Sequence, residues 1–491
     1  MNSCGNGVVL GMFWKLLERF GVSGVQFALQ IILARKLDPE HYGALALMMI
    51  FIALASIFVQ GGFNTALIQN KDVDEDDYSS VFWTSLAVAT ALYVALFFSA
   101  PAIGSVYDMP YLVEPLRVLA LMLFPGVLNS VQLAKVSREM DFKKVFYGNI
   151  GGAIVSGVVG VAAAYSGCGL WALVAQSLTN VIVVCLTMRF TVKLKLRFVY
   201  NWRRVKTLFS FGWKLLVSSL LDTLYADLRS LVIGLKYDAG TLGYYNRGKH
   251  FPQFIINAVN GAVTSVMLPA MSAEQDDKTR VKALARVSIT TSAYVIFPMM
   301  AGLAAIASPL VSLLLTDKWL PCAPYMMIYC FTLAFYPVHS CNLQAINAMG
   351  RSDVFLILEI IKKTYGLVVL AIAVFYFDSP LAIAGTGLVT TWISWFVNAR
   401  PNKNLLGYSY WEQVKDLTPS MFLSLAMFGV VWPLGRLPLS NLPTLIVQII
   451  VGAAFYILAS AIVKPTPYRT LTAQLKKALN KTGLNAKRDA A

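Results

Sequence analysis

The chain has 491 residues, of which 57% are apolar and only 13% are charged, against about 25% charged in an ordinary soluble domain. A bilayer solvates so apolar a surface and water does not, so the composition excludes a soluble globular protein. The net charge of +16 would suit a nucleic-acid ligand, but the positions of the cations argue against that partner.

Apolar stretches long enough to cross a hydrocarbon core of about 30 Å follow one another along the whole chain. They predict an all-α integral membrane protein with about fourteen transmembrane helices. The predicted spans are 11–36, 40–68, 79–106, 111–136, 143–167, 169–189, 207–236, 240–269, 284–309, 322–346, 354–377, 380–400, 416–437 and 440–464. The connections are short, so no domain outside the membrane is expected between spans.

Lysine and arginine are unequally divided between the two sides that these spans define. With the N-terminus inside, most cations fall in inside loops, above all in residues 189–206 and in the tail after Lys464. This bias follows the positive-inside rule and predicts that both termini are cytoplasmic. The charge therefore sets the topology, and no nucleic-acid partner is expected.

The chain contains an internal repeat. Phe13-Trp14-Lys15-Leu16-Leu17 reappears as Gly212-Trp213-Lys214-Leu215-Leu216, Tyr42-Gly43 as Leu242-Gly243, and Pro125, Gln132 and Asp141 as Pro337, Gln344 and Asp353. Six helices separate the copies, so both enter the membrane in the same direction, as in transporters built from parallel repeats. We therefore predict two parallel six-helix repeats around a central cavity, plus two C-terminal helices. The predicted domains are an N-terminal lobe (1–190), a basic cytoplasmic linker (191–206), a C-terminal lobe (207–400), two additional helices (401–464) and a basic cytoplasmic tail (465–491).

Polar residues recur at helical spacing inside four spans, two from each repeat. Charges at membrane depth cost about 2.5–3.5 kcal/mol each, so they normally face a bundle interior or a wet cavity. The stripes predict a substrate cavity lined by Lys15, Arg19, Gln26, Gln30, Gln60, Asn64, Lys214, Asp222, Tyr225, Arg229, His250, Gln253, Asn257 and Asn260. The alternative is structural, because buried amides also join helices and lysines near span ends also reach the interface.

Carboxylates inside spans are candidates for coupling transport to an ion. They are Glu18, Asp222, Asp227 and Glu359. Each has a cation close in sequence, so internal ion pairs are the alternative. For Glu359, with Lys362 and Lys363 on the same helical face, a cavity wall and a local salt bridge stay equally open. No cysteine or histidine spacing is typical of a metal or catalytic site, so we predict neither and expect that the protein is not an enzyme.

The segment Ile32–Gly43 resembles the "LAR-x-L-x-P-x-x-[FY]-G" signature of Wzx-type polysaccharide flippases, in the polysaccharide transporter branch of the MOP superfamily. Further similarity lies at Ala66–Gln69, Val81–Trp83, Gly243–Asn246 and Leu268–Ser272. The resemblance runs from about residue 11 to 400 and is strongest to the colanic-acid-exporter-like subgroup.

The resemblance implies a bacterial inner-membrane protein that flips undecaprenyl-diphosphate-linked oligosaccharide, a repeat unit of lipopolysaccharide, capsule or exopolysaccharide, to the periplasmic leaflet. It implies alternating access between two lobes, without a cofactor and coupled to an H⁺ or Na⁺ gradient. The expected partners are membrane lipid, the lipid-linked glycan and other membrane proteins of polysaccharide assembly. A cationic cavity suits a pyrophosphate, because charge-assisted contacts to phosphate oxygens are strong.

Two other functions stay open at this point. A MATE-like ion-coupled exporter of small amphiphilic cations should have a cavity dominated by acidic and aromatic residues, whereas these stripes hold more Lys and Arg than Asp and Glu. A membrane polymerase or ligase acting on the same lipid carrier should present a large external loop, and the predicted outside loops are short.

Overall fold

A computed structural model describes residues 21–70 and 72–473, except for the side chains of residues 211, 258, 262–266 and 268. Every regular element in these ranges is helical. The predicted all-α class is therefore confirmed.

The helices of the first half follow the predicted spans, but the spans 40–68 and 111–136 are each divided into shorter helices. They are α1 (Ser23–Lys36), α2 (Pro39–Gln60), α3 (Phe63–Gln69), α4 (Glu75–Val106), α5 (Val113–Leu119), α6 (Leu123–Glu139), α7 (Phe142–Tyr165), α8 (Leu170–Thr191) and α9 (Trp202–Lys236). Single 3₁₀ turns at Pro110–Leu112 and Ala120–Met122 flank α5 and join it to its neighbours.

The second half continues in the same way. Its helices are α10 (Ala239–Ala273), α11 (Lys278–Ala305), α12 (Ala307–Leu315), α13 (Ala323–Ala334), α14 (Tyr336–Ala348), α15 (Ser352–Tyr376), α16 (Pro380–Leu406), α17 (Tyr410–Val431) and α18 (Asn441–Val463). Two 3₁₀ segments, Asp317–Cys322 and Trp432–Arg436, connect them.

Nine helical stretches within the described ranges are long and apolar enough to cross a membrane. They are Pro39–Gln69, Glu75–Val106, Pro110–Glu139, Phe142–Tyr165, Leu170–Thr191, Lys278–Ala305, Pro380–Leu406, Tyr410–Arg436 and Asn441–Val463. The helices α9, α10 and α15 have the length but fall outside this set, and they carry much of the predicted polar stripes and intramembrane charge. The count of about fourteen spans stays a prediction.

The chain divides into two compact units, Met1–Asn246 and Arg247–Ala491. In the first unit, α9 packs against α2, α3 and α4. The predicted limits of the two lobes stay a prediction.

Small residues bring α7 and α8 together in the first unit. A Cβ on Gly152 would lie 2.5 Å from the Val184 side chain, and one on Gly160 would lie 2.8 Å from Gln176. Without a hydrophobic driving force between helices in lipid, such close approach supplies the packing contacts. A second core forms where α3, α6 and α8 meet, around the buried residues Leu67 and Val131.

The two C-terminal helices belong to the packing of the second unit. Helix α17 runs along α11 and also contacts α18, with Met427, Val431 and Tyr456 buried between them. At the start of α17, Lys282 reaches Glu412 at 3.3 Å and Arg286 reaches Asp416 at 2.5 Å. Helix α17 is therefore joined to α11 by both apolar and ionic contacts.

Candidate transport site

Helix α2 ends at a pair of glycines that a side chain could not replace without strain. Gly61 and Gly62 have φ values of +53° and +71°, in the left-handed region that favours glycine. Helix α9 crosses at this break, since a Cβ on Gly62 would lie 2.2 Å from the carbonyl oxygen of Gly212. The two backbones are in direct contact here.

A second backbone crossing joins the beginnings of α2 and α10. A Cβ on Gly43 would lie 1.8 Å from the carbonyl oxygen of Ala239, and one on Gly243 would lie 2.0 Å from that of Pro39. The two contacts exchange when 200 is added to or subtracted from the residue numbers. A two-fold relation between two segments produces such reciprocal contacts. The segments that repeat in the sequence are therefore also related in the structure at this crossing.

Between these crossings, most side chains of α9 are exposed or only partly buried. No residue from Trp213 to Arg229 is buried, although Gly212 and Ile233 on either side of this stretch are buried. Lys214 and Asp222 of the predicted stripe are exposed, and Tyr225 and Arg229 are partly buried. The polar face of α9 is thus accessible along its length.

The glycine crossing brings two predicted stripes of the first unit near each other. Gln60 and Asn64 flank the Gly61–Gly62 break, and Lys214 follows Gly212 by two residues. Gln60 is exposed, and the Asn64 side-chain oxygen is buried without a hydrogen-bond partner among the described residues. This oxygen is therefore a buried acceptor without a donor in the described part of the chain.

The first stripe is only partly within the described chain. In α1, Gln26 is exposed and Gln30 is partly buried, while Leu29 packs on α7 at Gly157. Lys15, Glu18 and Arg19 lie outside the described residues, so their predicted roles stay predictions.

In the second unit, the stripe of α10 is internally hydrogen-bonded. Gln253 Nε2 donates to Asn257 Oδ1 at 2.8 Å, one turn further along the helix. His250 and Asn257 are exposed, whereas Gln253 and Asn260 are partly buried.

The intramembrane carboxylates have different surroundings. Glu359 lies 2.5 Å from Lys362 Nζ, one turn along α15, so the local salt bridge is present. Asp222 is exposed on α9 and Asp227 is partly buried. No group of three or more metal-ligating side chains occurs in the described ranges. Ion coupling through any of these carboxylates stays a prediction.

Sequence reasoning missed an ionic contact, here called the linker clasp, between the start of α4 and the segment before α9. Arg204 Nη1 donates to Asp74 Oδ2 at 2.5 Å and lies 3.3 Å from Asp77, while Arg197 lies 3.3 Å from Glu75. Asp74 also caps α4, accepting from two backbone N–H groups. The hydrogen bond from Arg204 holds the pKa of the Asp74 carboxyl below its usual value. The sequence did contain a signal for this contact, because the acidic residues 72–77 and the basic residues 189–206 both lie in predicted cytoplasmic loops.

A buried amide network in the second unit was also missed. Gln413 of α17 and Asn342 of α14 exchange two side-chain hydrogen bonds of 3.0 and 2.9 Å. Trp395 Nε1 donates to Gln413 at 3.1 Å, and Asn402 Nδ2 donates to Asn342 at 2.7 Å. All four residues are buried, so the network fixes α14, α16 and α17 relative to one another.

The apolar helices define the class of protein, an all-α multi-pass membrane protein, and its fold is similar to that of MOP superfamily transporters. The lipid II flippase MurJ in an inward closed conformation superposes with a TM-score of 0.76 at 16% identity, covering 94% of this chain and 100% of that one. An inward-facing multidrug MATE transporter of the MOP superfamily gives 0.61 at 19% identity, covering 79% and 98%. At these identities the likeness is one of fold.

The particular family follows from sequence. The model of the family described as "Polysaccharide biosynthesis protein" matches residues 32–324, more than half of the chain. The chain belongs to this family of polysaccharide biosynthesis proteins, and the predicted Wzx-type resemblance is confirmed.

Curated relatives agree with this assignment. The succinoglycan biosynthesis transport protein ExoT of Rhizobium meliloti is 25% identical over 453 residues, covering 90% of this chain and 89% of its own. The lipopolysaccharide biosynthesis protein WzxC of Escherichia coli is 22% identical, covering 87% of each. The teichuronic acid biosynthesis protein TuaB of Bacillus subtilis is 23% identical, covering 72% and 74%.

Proposed function

We propose that the protein flips undecaprenyl-diphosphate-linked oligosaccharide from the cytoplasmic to the periplasmic leaflet of a bacterial inner membrane, by alternating access. The observation that supports this most is the open polar face of α9, in a chain of the polysaccharide biosynthesis family. A helix long enough to span a bilayer that leaves lysine, aspartate and arginine unburied needs an aqueous path beside it.

The chemistry of this face suits a phosphorylated, hydroxyl-rich substrate. Lys214 and Arg229 offer charge-assisted hydrogen bonds to pyrophosphate oxygens, which are roughly twice as strong as neutral ones. Between them, Ser218, Asp222 and Tyr225 offer donors and acceptors that match sugar hydroxyls. Gln60 and Asn64 add amide groups at the glycine crossing.

Alternating access requires helices that change their mutual angle without losing contact. At Gly62–Gly212 and Gly43–Gly243 the backbones touch without intervening side chains. Such contacts have no interdigitated side chains to unlock, so we assign them the role of pivots.

Coupling to an H⁺ or Na⁺ gradient is part of the proposal. The candidate groups are Asp222 and Asp227 on α9, Glu359 on α15, and Glu18 outside the described residues. No cofactor is required. Membrane lipid, the lipid-linked glycan and other membrane proteins of polysaccharide assembly are the proposed partners.

Deletion of the gene with analysis of lipid-linked intermediates tests the function. Undecaprenyl-linked glycan should accumulate in the cytoplasmic leaflet, and its absence there would contradict the proposal.

Complementation then tests the site. Lys214→Ala and Arg229→Ala should each lower surface glycan by at least about 10-fold, as expected for a lost charged contact of about 1.5–3 kcal/mol. Lys278→Ala and Arg436→Ala, which lie off the stripes, should restore it fully at matched membrane protein levels.

The second candidate function is ion-coupled export of small amphiphilic cations. The carboxylates of Asp222 and Asp227 and the MATE-like fold favour it. In this case deletion should increase sensitivity to cationic drugs and leave lipid-linked glycans unchanged.

A further inference from the structure

One end of the first unit holds a cavity of about 330 Å³ away from the polar stripes. It is lined by Glu40, His41, Tyr111, Pro115, Leu170 and Trp171. These residues come from the beginnings of α2 and α8, from α5 and from the 3₁₀ turn before it. The volume is at the small end of ligand pockets, large enough for one ring-sized group.

Two large aromatic rings line this cavity while staying open to solvent. Trp171 is 44% exposed and Tyr111 is 49% exposed. Their backbones are held, since Trp171 lies in the first turn of α8 and its N–H donates to the Cys168 carbonyl at 3.0 Å. Pro115 and Leu170 are buried beneath them. The cavity therefore combines an apolar floor with exposed aromatic faces on fixed backbone.

His41 contributes a hydrogen-bond donor to the cavity. The hydrogen bond that caps α2 determines which ring nitrogen carries the proton. Its Nδ1 accepts the backbone N–H of Asp38 at 3.3 Å, closing the N-terminal cap of α2. A neutral imidazole that accepts at Nδ1 carries its proton on Nε2. Within the described residues, Nε2 has no hydrogen-bond partner. Gly169, with φ +54°, leaves room at this atom, because a Cβ there would lie only 3.0 Å away.

Glu40 contributes acceptors at the same site. It is exposed, and its carboxylate makes no hydrogen bond or ion pair with the described part of the chain. A Cβ on Gly240 would lie 3.6 Å from its Cγ, so the side chain rests beside the first turn of α10. Glu40 and Asp238 both act electrostatically on Tyr111, so two carboxylates lie near this cavity.

We propose that this cavity binds one neutral sugar ring of the transported glycan. The proposal rests on the proposed flippase function. A pyranose has an apolar C–H face that packs on an aromatic ring and an edge of hydroxyls that both donate and accept. Trp171 supplies the ring, His41 Nε2 the donor and Glu40 the acceptor. The neighbouring carboxylates repel uronic acids, so the site selects uncharged sugars.

An exposed aromatic pair beside a carboxylate would also suit an ammonium head group of a lipid. The His41 donor favours the sugar, because the ammonium group seated on the rings has no acceptor of its own, whereas a pyranose carries hydroxyls on its ring. The predicted topology places this end on the periplasmic side, where the connections 37–39, 107–110 and 166–169 lie outside. A sugar held here would therefore be one that has already crossed the membrane.

Binding is measured on the full-length protein in nanodiscs of phosphatidylglycerol. The probes are methyl glucoside, methyl galactoside, N-acetylglucosamine, glucuronate, ethanolamine and choline, each detected by saturation-transfer NMR. Cys168 is exposed three residues from Trp171, so protection of its thiol from a maleimide gives a second readout. At least one neutral sugar should bind and protect Cys168, and glucuronate should bind at least 10-fold more weakly.

Trp171→Ala should weaken sugar binding about 10-fold or more, and Glu40→Gln should reduce the preference for neutral sugars over glucuronate. Trp411→Ala, another exposed tryptophan, is the matched control and should change nothing. Binding of choline or ethanolamine in place of sugars, or unchanged sugar binding by Trp171→Ala, would overturn the proposal. These outcomes are independent of the deletion experiment, which tests flipping itself by the lipid-linked glycan that accumulates.

Discussion

At the residue scale, the glycines at the helix crossings allow two backbones to come into direct contact. Gly43, Gly62, Gly212 and Gly243 each meet a backbone atom of another helix where any side chain would stand. Because the opposing atoms are carbonyls and not flexible side-chain ends, neither helix can give way locally. These four positions cannot accommodate a side chain.

Gly62→Ala should destabilise the protein by at least about 2 kcal/mol, since it combines left-handed backbone with a clash against the Gly212 carbonyl. Thermal unfolding in detergent measures the effect. Gly429→Ala is the control, because nothing lies within 4 Å of its Cβ position in α17, and it should stabilise by up to about 1 kcal/mol. Equal unfolding temperatures for the two variants would contradict the crossing.

Two buried glutamines should respond in opposite ways to the same substitution. Gln132 is fully buried, and neither atom of its amide has a hydrogen-bond partner among the described residues. Gln413 is equally buried but bonded to Asn342 and Trp395. Gln132→Met should be neutral or stabilising, whereas Gln413→Met should cost about 1–3 kcal/mol by leaving its partners unpaired. A Gln132→Met variant that unfolds more easily would reveal an unseen partner.

At the element scale, the linker clasp attaches the segment before α9 to the start of α4. The linker is bound to α4 by backbone as well as by charge, since Arg197 N–H donates to Ser79 Oγ and Asn201 N–H donates to Ser80 Oγ, both at 3.0 Å. Phe198 stacks on Trp83 with 4.9 Å between the ring centroids. The segment between the predicted lobes is therefore attached to the first unit rather than free.

Arg204→Gln should loosen this attachment and lower global stability by about 1–3 kcal/mol, because the Asp77 carboxylate that it contacts at 3.3 Å is buried and loses a charged partner. Hydrogen exchange of residues 195–206 should be faster. Arg203→Gln, an exposed neighbour without an ion pair in the described chain, should leave exchange unchanged. The pKa of Asp74 is lower in the folded protein, so the contact is complete above its ordinary value of 3.8 and is lost as pH falls through the lowered pKa. Equal exchange in both variants would contradict the ionic role.

At the scale of the whole molecule, the predicted topology can be tested with a cysteine that the chain already has. Cys168 is the exposed cysteine among those described, in the connection before α8 that is predicted to be periplasmic. A membrane-impermeant maleimide should label a variant that keeps only Cys168 in intact cells. A single cysteine at position 276, in the turn after α10, should react only after the membrane is permeabilised. The reverse pattern would invert the orientation.

The local properties of the chain were predictable from sequence. Helical periodicity and hydropathy act within a few turns, so the helices, the polar face of α9 and the Gly43–Gly243 correspondence could all be recognised without coordinates. The resemblance to polysaccharide flippases was recognised from short motifs, the first of them at Ile32–Gly43. The clasp of Asp74 and Arg204, the network around Gln413 and the cavity beneath Trp171 each join residues far apart in the chain, and no local pattern specifies such pairs.

The break at Gly61–Gly62 depends on a tertiary contact and could not be predicted from the sequence. The aligned Gly261 lies inside the continuous helix α10, although the repeat makes the two positions equivalent in sequence. Helix α9 passes against the break at Gly212, and the left-handed glycines let its backbone approach. The sequence determined that helices and polar faces exist and recur. Only the tertiary structure decided which of them touch, because a contact depends on the position of both partners.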